Sequence, residues 1–318
     1  MKMKNYLLPI VMGLCSCVNE SSEVQLEEAE TIEFSIASMD NEEVDSRLSV
    51  SDRAKVLFQN NDRLGIFPTN KGSQVEFVIE LEEGQTTDMV TFDGGGWAFK
   101  SGYSYAAYYP YNLLNTKGSE IPFSFTEQCQ VGNDNRDHLD EHVLLVAGPT
   151  DVKNSTINFT LWHVESFMRI DLYLPGNKTY TSLSLYTNKS VIPQKKVCNI
   201  FSTKVNNSVV TIDQRVLESD NHLTIGLKDI TTVSDNEKVR VWMTFPVVDL
   251  KGASMLAVVT DSEGHIYTGD LLVNSSAAPL FVSTIDRNEI NLLKAYPVLN
   301  DGFTGSVSAY DENSFYWN

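Results

Sequence analysis

The chain has 318 residues, a formal net charge of −18 and a pI near 4.6, and no run in it is more basic than Lys195-Lys196, which excludes nucleic acid as a partner. Its 4 cysteines make neither a disulfide framework nor a CxxC metal pattern. The length exceeds what one core usually organises, so two domains are the default.

The chain opens "MKMKNYLLPIVMGLCSC". Lys2 and Lys4 precede an apolar run from Tyr6 to Leu14 that is too short to span a bilayer, so residues 1–16 read as a secretory signal peptide. Leu14, three residues before Cys17, and Ser16 directly before it resemble a bacterial lipobox. In that chemistry the Cys17 thiol carries a diacylglyceryl group and becomes the new N-terminus. The expectation is an outer-membrane lipoprotein, anchored to lipid through Cys17 acylation without spanning it. An ordinary signal peptide cut nearby is the alternative. From Cys17 to Arg47 the chain holds ten acidic residues and a single arginine, a charged leader that reads as a solvated tether or an export signal.

The next segment, "TIEFSIA", sets Ile32, Phe34 and Ile36 on one face and Glu33 and Ser35 on the other, the pattern of a half-buried strand. "QVEFVIEL" repeats it with Val75, Phe77, Ile79 and Leu81, and "MVTFDGGGWAF" predicts a hairpin turning at Gly94 to Gly96. "YSYAAYYPY", residues 103–111, places Tyr103, Tyr105, Tyr109 and Tyr111 on one strand face with Ala107. That face is either a wall of the core or a platform for stacking on sugar. Short apolar runs follow every 8–15 residues or so, among them "HVLLVAG", "TINFTLWHV", "SFMRIDLYL", "HLTIGL" and "KVRVWMTF", separated by Gly, Asn, Asp, Ser and Pro. No stretch keeps helical spacing over three turns. The chain is therefore expected to be all-β, built as antiparallel sandwiches. "AGPTDVKNS", residues 147–155, interrupts the apolar rhythm and suggests a seam between an N-terminal sandwich, 31–150, and a C-terminal one, 151–318.

Residues that could carry chemistry are sparse. "DHLDEH" puts His138 and His142 four apart, but the HExxH order and an evident third ligand are missing, so a polar loop is the expectation. His163, His222 and His265 stand singly. There is no GxSxG, no GxxxxGK[ST] and no GxGxxG, and acidic pairs such as Glu82-Glu83 read as solvated turns. No catalytic residue, metal or cofactor is expected. Cys129 and Cys198 are read as two buried thiols, with a bridge between them as the alternative.

Four segments taken in order carry a family resemblance. "NDRLGIFPTN" (61–70), Trp97 after a glycine turn, "YSYAAYYPYN" and "FTLWHVESFMRIDLYL" (159–174) resemble the fimbrillin family, lipoprotein precursors of type V pilus subunits in anaerobic Gram-negative bacteria. Asn61 stands where that family usually has glycine, Leu64 where it has isoleucine, and "LWH" where it has "FxH". The resemblance covers about residues 30 to 175. It implies two antiparallel β-sandwich domains of transthyretin-like type, and a structural pilus subunit serving cell adhesion rather than an enzyme. It implies further that an Arg- or Lys-specific protease removes the leader with the first strand, for which Arg47 in "DSRLSVSD" is the matching site. The vacancy would be filled by a donor strand from a neighbouring subunit. The tail "FTGSVSAYDENSFYWN" (303–318), with Val307, Ala309, Phe315 and Trp317 at period-2 spacing, is the expected donor. Implied partners are other pilus subunits, the outer-membrane lipid and a host surface ligand. The rival reading is a surface glycan-binding lipoprotein that keeps its N-terminus and does not polymerise.

Overall fold

A computed structural model describes residues 28–37, 57–70, 72–94, 99–187, 192–206, 209–235, 237–246 and 255–271. In chain order the strands are β1 (Thr31–Ile36), β2 (Phe58–Gln59), β3 (Arg63–Pro68), β4 (Val75–Val78), β5 (Thr86–Thr87), β6 (Met89–Asp93) and β7 (Ser104–Tyr109). There follow β8 (Ile121–Ser124), β9 (Cys129–Val131), a 3-10 helix (Asp137–His142), β10 (Leu145–Asp151), β11 (Thr156–His163) and β12 (Ser166–Leu174). The chain continues with β13 (Lys178–Thr187), β14 (Ile192–Asn206), β15 (Val209–Asp220), β16 (His222–Thr232), β17 (Glu237–Phe245), β18 (Met255–Asp261) and β19 (Ile266–Leu271). The fold is all-β.

A seven-stranded sheet runs β4-β3-β7-β10-β11-β1-β6, a five-stranded one β19-β18-β13-β16-β9, and a three-stranded one β15-β14-β8, with β12-β17 and β2-β5 as ribbons. Neighbours are antiparallel except where β1 lies parallel to β11 and β9 parallel to β16. β11, beyond residue 150, belongs to the seven-stranded sheet, whereas β8 and β9, before it, pair with β14 and β16. "MVTFD" does not fold back as a hairpin arm among the described residues. It pairs with β1, and Gly94 instead permits close approach, since a Cβ there would lie 2.5 Å from the Ala29 carbonyl oxygen.

Two cores share this framework. One gathers Ile32, Phe34, Phe77, Tyr105, Tyr109, Phe159 and Trp242; the other gathers Phe67, Tyr108, Phe125, Tyr180, Trp242's neighbour Met243 and Phe245. β7 lies between them, so the tyrosine segment feeds both. Tyr105 and Tyr109 face the first core and Tyr108 the second, and all three are buried. Only Tyr103, before the strand, shows 40% of its surface. The aromatic stretch is therefore core, and a stacking platform for sugar is not what it forms.

Gly65 explains how that packing closes. It lies opposite Tyr108 on the neighbouring strand, and a Cβ on it would fall 2.2 Å from Tyr108 Cε1. Phe67 stacks on the same ring at 5.9 Å. Asn61 has φ +69°, the left-handed region that L residues other than Asn and Asp seldom enter and that glycine enters freely. Asparagine thus meets there a backbone requirement that glycine would also meet.

The edge of β17 is capped by side-chain amides in place of a strand. Buried Gln128 accepts from Thr244 N–H at 2.6 Å and donates to Thr244 O at 2.9 Å. Gln130 accepts from Trp242 N–H at 2.7 Å and donates to Arg240 O at 2.8 Å, and Asn133 accepts from Arg240 N–H at 2.8 Å. Buried backbone groups need partners, and these carboxamides supply both a donor and an acceptor at strand spacing.

Candidate functional site

The feature with the most functional content is the seat of β1. Its alternation buries Ile32 and Phe34 completely and Ile36 to 6% exposure, while Thr31, Glu33 and Ser35 lie at the half-exposed outer face. On one side Ile32, Phe34 and Ile36 align with Ile157, Phe159 and Leu161 of β11; on the other, Ile32 and Phe34 align with Phe92 and Val90 of β6. The Phe34 ring stacks on Phe159 at 5.1 Å and meets Phe92 edge-on at 5.8 Å. Burial of three such side chains stabilises by roughly 1.5–3 kcal/mol each.

Backbone bonds continue past both ends of the strand. Ala29 N–H donates to Phe99 O at 2.8 Å and Glu30 N–H to Ser155 O at 2.7 Å, while Ile36 N–H donates to Asp88 O and Ala37 N–H to Leu161 O, each at 2.9 Å. The exposed Lys100–Glu28 pair at 3.3 Å adds little. In the sheet order β1 is the sole link between β6 and the other strands among the described residues. Without β1, two strand edges and an apolar floor would face an empty lane. Beyond it, β6 and β4, the two outer strands, flank an open cleft of about 990 Å³ lined also by Glu80, Leu81 and residues 84–87. Phe92 lines it, its ring 5.1 Å from that of Phe77.

Of the other residues singled out in the sequence, Cys17, Arg47, Val307, Ala309, Phe315 and Trp317 lie outside the described residues. His138 and His142 sit on the 3-10 helix but serve separate partners: His138 Nε2 is 2.9 Å from Trp242 O, and His142 bonds the Ser124 backbone. Burial lowers both imidazole pKa values. The expectation of two buried thiols is corrected at Cys129, which is exposed at the β9 edge; Cys198 is buried, and both are free.

Two polar clusters escaped the sequence reading: one gathers residues far apart in the chain, and the other joins close-set residues of the β18–β19 turn to distant Lys178. Asp62 accepts from Gln59 N–H at 2.7 Å and from Tyr109 OH at 3.0 Å. Burial raises the Asp62 carboxyl and the Tyr109 phenol, and pushes nearby Asp140 up to about 7, aided by the charges of Asp137, Asp62 and Glu141. The second cluster joins Asp261, Glu263 and His265, whose ligand atoms lie within 4.8 Å of one another. The Lys178 ammonium already occupies it, 2.6 Å from Glu263 and 3.5 Å from Asp261. Burial would raise Asp261, but donors from the His265 backbone and ring, Tyr267 and the Glu263 backbone outweigh it and hold the carboxyl down to about 2. With its ammonium between the two carboxylates, Lys178 braces β13 against the β18–β19 turn.

Three solved structures resemble this one at low identity. A candidate cell adhesion protein from Bacteroides ovatus has 12% identity and a TM-score of 0.45, over 77% of this chain and 87% of that one. The tip fimbrial protein Mfa3 from Porphyromonas gingivalis, with a C-terminal truncation, has 11% and 0.36, over 81% and 91%. The fimbrial anchor protein Mfa2 from the same organism has 13% and 0.34, over 76% and 82%. These solved neighbours are adhesion and fimbrial proteins. No family model and no curated protein matches the sequence.

Proposed function

We propose that the protein is a structural subunit of a surface pilus, exported as a lipoprotein on Cys17 and assembled by donor-strand exchange after cleavage at Arg47. The observation that carries this reading is the position of β1: an interior strand, contributed by the chain's N-terminal segment, with three apolar side chains seated in the core. Arg47 stands ten residues beyond Ala37 in a polar stretch, and no other basic residue lies between it and the N-terminal signal. A cut there frees residues 17–47, β1 included, so the strand departs with the leader and its lipid.

The lane between β11 and β6 then demands a strand with apolar residues at every second position. The segment 303–318 meets that demand with Val307 and Ala309, and again with Phe315 and Trp317. Insertion of one subunit's tail into the next is head-to-tail, does not close on itself, and so extends a filament. Lipidation holds the precursor at the outer membrane until the cut, and cell adhesion is the activity such a filament serves.

The test is Arg47→Gln in the producing cell. Wild-type protein recovered from the surface should begin at Leu48 and run as detergent-resistant ladders, and Arg47→Lys should retain them. The glutamine variant should remain full-length, monomeric and lipid-bound. Ladders formed by that variant would refute the proposal.

A further inference from the structure

We propose that the cleft between β4 and β6 takes an extended basic segment of a partner protein, laid antiparallel on β6 with lysine or arginine at every second position. β6 ends the seven-stranded sheet, and its pairing with β1 runs in unbroken register. Ile36 N–H donates to Asp88 O and Gly94 N–H to Glu30 O, so Asp88, Val90, Phe92 and Gly94 turn their backbone groups to β1. Met89, Thr91 and Asp93 turn theirs to the cleft. The Thr87 hydroxyl serves both groups of Met89, accepting from its N–H at 3.2 Å and donating to its carbonyl at 2.8 Å. No described residue does the same for the Thr91 backbone. β4, the other outer strand, faces the cleft in the same way. Ile79 spends its N–H on Asp62 O and its carbonyl on Asn61 N–H, on the β3 side, which directs the backbone groups of Val78 and Glu80 outward. Val78, Glu80, Thr91 and Asp93 all line the cleft.

Charge and alternation select the occupant. Residues 72–99 hold six carboxylates, Glu76, Glu80, Glu82, Glu83, Asp88 and Asp93, and no lysine, arginine or histidine. Arg63 reaches in from β3 to Glu76 at 2.6 Å. A free edge by itself accepts any strand. A rim of one sign repels a second copy of this chain, of net charge −18, and favours a segment that brings cations. Directly opposed residues of an antiparallel pair share a face. On β6, Thr91 and Asp93 are exposed, whereas Val90 is buried and Phe92 half-buried. The cations therefore stand opposite Thr91 and Asp93, and the residues between them are apolar. Those cover Phe92 and Leu81, which pack against the core and stay partly open to the cleft. The mode is strand addition, with backbone bonds for affinity and side chains for choice. A single strand covers little area, so the association is reversible, and it weakens as salt rises.

The test uses the full chain, with β1 in place, and a blocked hexapeptide of alternating lysine and valine at about 0.15 M salt. Fluorescence anisotropy should show binding of this peptide and none of its glutamate–valine counterpart. Methyl groups on the lysine amides keep every charge but remove the donors that face β6, and should weaken binding about tenfold. Thr91→Pro removes a donor on the cleft side and spares the bonds to β1, so it should cause a similar loss at an unchanged urea midpoint. Glu80→Lys together with Asp93→Lys should turn the preference toward the glutamate peptide. Equal binding of the methylated peptide would show that charge alone attracts it, and would overturn the proposal. So would a preference that the two lysine substitutions leave as it was. No binding at all, whether the edge stays bare or the chain's own residues cover it, would overturn it too.

Discussion

Tyr108 and Tyr109 are adjacent, yet they anchor different cores, and the space each needs is made by residues more than forty positions away. Tyr108 depends on the missing side chain at Gly65. Gly65→Ala should lower stability by about 1–3 kcal/mol in urea unfolding, because the buried ring cannot yield. The loss should shrink in a Tyr108→Leu background, where the clashing atoms are gone. Tyr109 instead rests its hydroxyl on Asp62, and the neighbouring Asp140 has a buried Oδ1 with no partner. With its pKa raised to about 7 from an ordinary 3.8, Asp140 binds a proton in the folded state that the unfolded chain releases. Its contribution is therefore fully present below about pH 4 and is lost as pH rises through about 7. Asp140→Asn should gain on the wild type between pH 5 and pH 8, read as the gap between their urea midpoints. A constant gap would show that the carboxyl does not titrate in this window.

Among the elements, β17 shows how a strand edge can be satisfied without another strand. Gln130 closes two bonds on it from a fully buried position. Gln130→Ala should cost on the order of 2–6 kcal/mol, since the two backbone groups it leaves unpaired carry roughly 1–3 kcal/mol each. Hydrogen exchange at the Trp242 amide should rise with it, and exchange that stays slow would mean that the edge has another cover. β14, the longest strand, left no periodic signal in the sequence because its inward positions include Gln194 and Lys196. Lys196 lays its stem in the core and brings its ammonium to 5.0 Å from the centre of the Phe125 ring and 3.2 Å from Val164 O. A lysine can thus stand where a strand pattern calls for an apolar residue.

At the scale of the whole molecule, the seven-stranded sheet is assembled from segments that start at residue 31 and end at 163, and its sixth strand in spatial order is its first in sequence. An interior strand supplied by the segment before Arg47 is what the proposed proteolytic exchange requires. On the proposed donor-strand assembly, deleting residues 303–318 should leave the wild-type unfolding midpoint in place while abolishing the ladders expected after the proposed cut at Arg47. Ladders from the truncated protein would move the donor strand elsewhere, and a collapsed midpoint would show that the tail is needed in its own subunit.

Alternation of apolar and polar side chains, with turn residues at short intervals, was enough to determine that the chain is all-β and that Ile32, Phe34 and Ile36 share one strand face. That information is local, and the pleat alone turns it into structure. Which strands become neighbours was not local. The insertion of β1 between β11 and β6, the pairing of Gly65 with Tyr108 and the amides on β17 were decided only when residues distant in the chain met. Strand partners are chosen by the joint satisfaction of buried backbone groups and side-chain volume, and neither quantity can be read one segment at a time.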